Sequence, residues 1–232
     1  MPIAGKRIRQ ARQQVTQAAY PLEEAVGLLK RLPSPKFDQS VELHLKLGID
    51  TKQSDQNLRG AVSLPAGLGR SRRVVAFCPP EAADGAKAAG AVEAGADDLV
   101  KKIEGGWLDF DVAVAHPSVM SKVAKLGRIL GPQGKMPTPK AGTVGPDIAK
   151  LVTEFQAGKV EYRSDAGGNV HAIVGKMSFD EKSLLENVRA LVDHIRRAKP
   201  VSAKGQFFQK VVLSATMMPG LVIDLATLPT GA

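Results

Sequence analysis

The sequence predicts an α/β protein of two domains, one assembled from both ends of the chain and the other inserted between them. From about residue 73 to 155, apolar runs such as Val74 to Phe77 alternate with helical sequence, the pattern of a parallel sheet covered on both faces. Outside that stretch the strands alternate. Val41, Leu43, Leu45, Leu47 and Ile49 fall on one face and Glu42, His44 and Lys46 on the other, as in an antiparallel sheet with one face open to a ligand. The first end supplies a helix and two strands, and the last end two strands, a helix and two more strands. Neither closes a core alone, so residues 1–66 and 158–232 are expected to form one domain around an inserted domain of residues 67–157.

Taken in order, Lys6 to Val15 is a basic, weakly periodic segment whose Lys6, Arg7, Arg9 and Arg12 can face a phosphate backbone. The same residues equally suit a terminus that orders only on a partner. Pro21 to Leu32 reads as a helix, with Pro21 in its first turn, Glu23 and Glu24 near its N-terminus, Lys30 and Arg31 near its C-terminus, and Pro33 and Pro35 stopping it. After the Val41 to Ile49 strand, Gly60 to Leu64 is a second, and Pro65 to Gly69 is a crossing between domains. Arg73 to Cys78 is a buried strand, Glu81 to Ala94 an Ala-rich helix, Asp111 to Ala115 another buried strand, and Ser118 to Leu126 and Pro146 to Phe155 are helical.

Gln156-Ala157-Gly158 crosses back, and the two crossings would form a hinge. Lys159 to Arg163 and Asn169 to Val174 are expected to pair through the turn Asp165-Ala166-Gly167-Gly168. Ser178-Phe179-Asp180-Glu181 fits a capping box ahead of a helix with Leu184, Leu185, Val188, Leu191, Val192 and Ile195 on one stripe. Gln206 to Ser214 and Leu221 to Leu225 are strands around the turn Met217-Met218-Pro219-Gly220.

Composition narrows the partner. The net charge is +9 and the pI near 9.7, which points to a polyanion, nucleic acid ahead of membrane. Residues 67–157 carry twelve Lys/Arg against ten Asp/Glu, so the basic excess lies mainly in the two chain ends. Cys78 is the only cysteine, which excludes an intrachain disulfide and reads as a core thiol of a reducing compartment. The basic N-terminus lacks the apolar region of a secretory signal and no run reaches membrane-spanning length, so a cytoplasmic protein is expected.

Catalytic patterns are missing. There is no G-x-S-x-G, H-E-x-x-H or C-x-x-C, and His44, His116, His171 and His194 are scattered without metal-ligand spacing. The acidic pair Asp97-Asp98 reads as a solvated face or a cap. No catalytic residue, cofactor or metal is assigned.

One stretch stands apart. Leu126 to Val144, LGRILGPQGKMPTPKAGTV, holds four glycines and three prolines with Arg128, Lys135 and Lys140 and no acid, so it reads as a shaped loop. It is not a phosphate-binding P-loop, because the register of Gly134-Lys135 puts Ile129 where glycine is needed and Met136 where Ser or Thr is needed.

This stretch closely resembles the signature of the bacterial ribosomal protein L-one family. The resemblance continues in Lys36-Phe37-Asp38, Ser54-Asp55-Gln56, Gly106-Trp107-Leu108-Asp109-Phe110-Asp111, Gly175-Lys176, Ser178-Phe179-Asp180, Ala203-Lys204-Gly205 and Thr216-Met217, in family order over nearly the whole chain. It implies a discontinuous split α/β sandwich that binds RNA, built from both chain ends, plus an inserted Rossmann-like domain. It implies a structural protein of the large ribosomal subunit, with three partners: the ribosomal RNA of the mobile stalk, the deacylated transfer RNA leaving the exit site, and its own messenger RNA, whose translation the family commonly represses.

The resemblance places RNA contacts at Lys36, Phe37, Ser40, Thr216 and Met217, with Pro219 in the same turn; Arg163, His171 and Lys176, on strands of the same domain, suit RNA contact and a solvated surface equally. Lys36 would attract phosphate, Phe37 pack on a ribose or base, and Ser40 and Thr216 hydrogen-bond. Arg128, Lys135 and Lys140 are expected to touch RNA transiently. One departure stands out: the family usually has glycine after Thr-Met, and here that residue is Met218. Two other classes compete with this one, a nucleotide-dependent enzyme using the inserted domain and a protein-binding scaffold without RNA.

Overall fold

The computed structural model describes residues 5–53 and 55–228, so Ser54 of the Ser54-Asp55-Gln56 motif lies outside the described residues. The chain is mixed α/β and divides into two compact units, one drawing on both chain ends up to Gly69 and from Val160, the other spanning Arg70–Lys159.

The first unit is built on a four-stranded antiparallel sheet, order β7-β1-β8-β9, of β1 (Ser40–Leu47), β7 (Asn169–Lys176), β8 (Phe208–Ala215) and β9 (Leu221–Ile223). The alternation of β1 decides its faces: Val41, Leu43, Leu45 and Leu47 are fully buried, while Glu42, His44 and Lys46 reach solvent. Two helices cover the apolar face, α2 (Leu22–Arg31) through Leu22, Ala25, Val26 and Leu29, and α8 (Glu181–Arg197) through Leu184, Val188, Leu191, Val192 and Ile195. These positions recur at three- and four-residue spacing, so each helix turns one stripe to the sheet. Each such buried Leu, Val or Ile stabilises by about 1.5–3 kcal/mol. The polar Asn187 shares the α8 stripe. Its amide accepts from Ala66 N–H at 3.0 Å and donates to Gly67 O and Val174 O at 2.9 and 2.8 Å, so burial leaves it satisfied.

Two local features depart from the sequence pattern. The turn at Asp165 forms, with Asp165 Oδ1 accepting from Gly167 and Asn169 amides. The strands it joins nevertheless enter different sheets: β6 (Lys159–Arg163) pairs with β2 (Arg59–Ser63), and only the bridge Ser164–Val170 links it to β7. The capping box also does not form. Asp180 is the residue before α8 and makes no side-chain cap, while Ser178 donates from its amide and hydroxyl to Asp38, at 3.1 and 3.0 Å. With Asp180 as the residue before α8, Ser178 lies two positions too early to cap it and is held by the charged acceptor on a neighbouring loop.

The second unit holds a three-stranded parallel sheet, order β4-β3-β5, of β4 (Glu93–Gly95), β3 (Val74–Phe77) and β5 (Val112–Ala115). Val75 and Phe77 point into one core with Leu99, Ile103, Phe110, Leu126 and Leu130; Val74, Ala76 and Cys78 point into the other with Ala86, Ile148, Val152 and Phe155. Burial pushes the Cys78 thiol pKa up, so the thiol stays protonated in the core. The Ala-rich helix α3 ends earlier than its composition implies, at Pro80–Ala88; Gly90 takes φ 102 and turns the chain into β4. Asp97 and Asp98 open a further helix, α4 (Asp97–Glu104), whose Leu99, Val100 and Ile103 are buried.

The glycine- and proline-rich stretch begins with a helical turn, α6 (Gly127–Leu130), and not as loop from its first residue, because Leu126 and Leu130 are both drawn into the core. The remainder is loop apart from a 3-10 turn at Pro139–Ala141. Thr143 Oγ1 accepts from Thr138 N–H at 2.8 Å and donates to Thr138 O at 3.1 Å, closing the segment before α7 (Ile148–Ala157).

Candidate nucleic-acid interface

Because β1 runs antiparallel to both neighbours, its start lies beside their ends. Ser40 pairs with Lys176 and Val41 with Ala215, so the segments 36–40, 176–180 and 216–219 meet at one end of the sheet. Lys36, Phe37, Ser40, Lys176, Thr216, Met217 and Pro219, separated by up to 183 positions in sequence, are brought together there.

Lys176 Nζ donates to Ser40 Oγ at 2.9 Å, which leaves the Ser40 hydroxyl proton to offer outward. Thr216 donates from its amide and hydroxyl to Ser40 O, at 3.0 and 3.3 Å, and keeps acceptor capacity on Oγ1. Asp38 ties the 36–40 segment to Ser178, and Gln39, fully buried, donates from Nε2 to Thr216 O.

The apolar groups here are as telling as the polar ones. Phe37 is 49% exposed and Met217 63%, and with Ile173 they make three of the five large apolar side chains exposed among the described residues. Leaving such groups in water is unfavourable, and their concentration beside lysines marks a contact surface. Met217 also takes φ 61, the one positive φ on a non-glycine among the described residues. The left-handed residue of the turn is therefore Met217, and the backbone at Met218 does not itself require glycine. Met218 is half-buried against the core and its amide donates to Ala215 O at 2.9 Å.

Further along the open face lie rows of residues fixed by the β register: Glu42 between Ile173 and Ser214, His44 between His171 and Val212, Lys46 between Asn169 and Lys210. His44, Lys46, Asn169, His171, Lys210 and Val212 line a shallow hollow of about 160 Å³. His171 is thus on the same face as Lys176 but about 15 Å along the strand from it. Arg163 is not brought to the Ser40 end; it closes β6, in the two-stranded sheet, next to the Ser164–Val170 bridge. Lys210 and Ser214 share this face because they alternate with the buried Val211, Leu213 and Ala215, and only the pairing of β8 with β1 sets them beside His44 and Lys46.

In the second unit, Arg128 is exposed on α6 and Lys140 on the turn Pro139–Ala141. Lys135 is turned inward, donating to Leu108 O at 3.1 Å with its ammonium 4.9 Å from the Phe110 ring centre. Among the described residues no group of three or more His, Cys, Asp or Glu side chains could hold a metal ion, and no helix is long and apolar enough to cross a membrane.

Fold and face together define a class: a two-unit α/β protein whose larger sheet is helix-covered on one side and open, basic and partly apolar on the other. The chain belongs to the ribosomal protein L1p/L10e family, whose family model matches residues 28–219. It is 49% identical over 225 residues to the large ribosomal subunit protein uL1 of Kosmotoga olearia, covering 97% of each chain. It is 50% identical over 221 residues to the protein of the same name in Protochlamydia amoebophila, covering 95% of this chain and 94% of that one. The Thermobifida fusca protein of that name is 49% identical over 220 residues, with 94% of each covered.

Proposed function

We propose that this chain is a structural component of the large ribosomal subunit, cytoplasmic and ribosome-associated. Its discontinuous domain, residues 1–66 with 158–232, binds the ribosomal RNA of the mobile stalk at the Ser40 end of the sheet. The convergence of Lys36, Phe37, Ser40, Lys176, Thr216 and Met217 at that end carries the reading. Lys36 and Lys176 meet phosphates, Phe37 and Met217 pack on riboses or bases, and the Ser40 and Thr216 hydroxyls engage 2′-hydroxyls. Pro219 shapes the same turn, and His171 and Arg163 extend the footprint toward the far end of β7.

The family relationship supports two further roles. The inserted domain, residues 67–157, assists release of deacylated transfer RNA from the exit site, with Arg128 and Lys140 presented to it. The RNA-binding face also recognises a stalk-like hairpin in the protein's own message and represses its translation. Catalysis is not part of this reading. The turn after β3 reads Cys78-Pro79-Pro80-Glu81, and its prolines lack the amides with which a nucleotide-binding turn cradles phosphate.

The test is a titration of the purified protein with a stalk RNA fragment at several salt concentrations, beside a Phe37→Ala, Thr216→Ala variant. Tight binding with a steep salt slope in the wild type, weakened in the variant, is the expected result, because phosphate contacts release counterions. A folded wild type without tight binding overturns the reading.

A further inference from the structure

We infer that Arg7, together with Gln39, is a positioning residue that holds the Met217 turn in the shape the interface requires; this rests on the RNA-binding reading above. Arg7 lies in the first turn of α1 (Lys6–Gln14), among basic residues whose pattern suits a phosphate backbone and a terminus that orders only on a partner equally well. Its guanidinium points inward instead. Nη2 donates to Met217 O at 3.0 Å, and Nη1 reaches Pro33 O and the Met218 sulfur, each at 3.3 Å. One side chain thereby ties the N-terminal helix to the start of the Lys36–Phe37 segment and to the C-terminal turn. Lys6, Arg9 and Arg12 on the same helix are exposed, while Arg7 is half-buried.

The turn has a physical need for such a tie. Met217 holds φ 61, which crowds its Cβ against the backbone and is disfavoured for any residue but glycine. Two successive carbonyls of this turn are held: Thr216 O accepts from Gln39 Nε2, and Met217 O from Arg7 Nη2. Gln39 is fully buried and its Oε1 has no partner, a cost the fold bears while the amide nitrogen grips Thr216 O. With both carbonyls held, the Met217 side chain stays outward, 63% exposed, and the Thr216 hydroxyl stays on Ser40. Arginine suits the position because its planar fork offers several donors at once, which a lysine ammonium on a flexible stem does not reproduce.

The experiment combines RNA titrations at several salt concentrations with methyl spectra of [¹³C-methyl]methionine-labelled protein, for wild type, Arg7→Ala, Arg7→Lys and Gln39→Met. Expected for both Arg7 variants is a loss of affinity of about tenfold with an unchanged salt slope, the size set by losing hydrogen bonds from a charged group. The Met217 and Met218 methyl signals should shift in the free protein while those of Met120 and Met136 stay in place. Gln39→Met, close in shape but unable to donate, should move the same two signals.

The inference is overturned by wild-type affinity and unmoved methyl signals in Arg7→Ala. It is equally overturned if Arg7→Lys restores full affinity while Arg7→Ala flattens the salt slope by about one counterion, for then Arg7 is a phosphate contact. Should Arg7→Ala fail to fold, Arg7→Lys and Gln39→Met give the same two readings. If wild type itself does not bind RNA, the functional reading falls, while the methyl spectra still decide whether Arg7 fixes the turn.

Discussion

His44 and His171 face each other across β1 and β7 with their Nδ1 atoms 2.8 Å apart. At that distance one ring nitrogen must donate and the other accept, so both imidazoles cannot be protonated while the contact lasts. Around them stand Ser214 Oγ, 2.9 Å from His44 Nε2, Glu42, 3.9 Å from His44 Nε2, and Asp165, 3.6 Å from His171 Nε2. Lys46 and Lys210 line the same hollow. Burial holds the His44 pKa below the ordinary 6.5, the charge of His171 pushes it the same way, and Glu42 opposes both. His194, packed edge-on against Tyr162, is also lowered, mainly by burial.

A histidine whose folded pKa is depressed binds its proton less readily when folded. Its contribution to stability is therefore present above the unfolded value near 6.5 and is lost as pH falls from there toward the folded value. The urea midpoint of the first unit should fall between pH 7.5 and 5.5, fall less in His44→Gln, and less again with His194→Gln added. A wild-type midpoint that rises over this interval contradicts the assignment.

Asn187, on α8, fastens the segment after β2 to β7. Asn187→Ala leaves the Ala66 amide and the Gly67 and Val174 carbonyls without their partner, and unsatisfied buried groups cost about 1–3 kcal/mol each. Water entering the vacated space recovers part of that. A loss of about 3 kcal/mol is expected in urea unfolding, larger than for a surface change on α8 such as Glu186→Ala.

Asp38 joins two of the three segments that build the interface. Asp38→Ala removes the acceptor of both Ser178 bonds and loosens the 36–40 segment. RNA affinity should drop by about 1–2 kcal/mol, even though the substitution deletes a negative charge and would by electrostatics alone strengthen binding to a polyanion. Tighter binding by Asp38→Ala would show that the electrostatic gain outweighs positioning.

Much of this architecture is written in short-range pattern. The faces of β1 follow from period-two alternation, α2 and α8 from their apolar stripes, and the parallel sheet from runs buried on both sides. What could not be read is the pairing of groups distant in sequence. Ser178 has a plausible local partner in Glu181, yet it bonds Asp38, 140 positions away. Arg7 looks like one more basic residue of a solvated helix until the turn 210 positions later is placed against it. β4 is three residues long, too short for periodicity to announce, and the loss of helix there is set by Gly90. Lys36, Phe37, Ser40, Thr216 and Met217 were legible only through resemblance, since the alternation that marks a strand says nothing of which strand ends meet.

Lys135 separates two meanings of the cationic loop. Its ammonium donates to Leu108 O and sits over the Phe110 ring, which is fully buried in the core of the second unit. Arg128 and Lys140, by contrast, are exposed. Lys135→Ala should therefore lower the stability of the second unit by about 2–4 kcal/mol, the sum of a charged hydrogen bond and a partly exposed cation–π contact. Arg128→Ala and Lys140→Ala should stay within about 0.5 kcal/mol of wild type, as ordinary surface changes do. Chemical denaturation followed through Trp107, which packs on Phe110 with ring centres 5.6 Å apart, reports on this unit directly. If Lys135→Ala is as stable as the other two, its inward contacts contribute nothing and the three cations form one set. If it is less stable, a transfer RNA defect in a variant with Arg128, Lys135 and Lys140 all replaced by alanine has to be measured against Lys135→Ala alone before it is ascribed to lost charge.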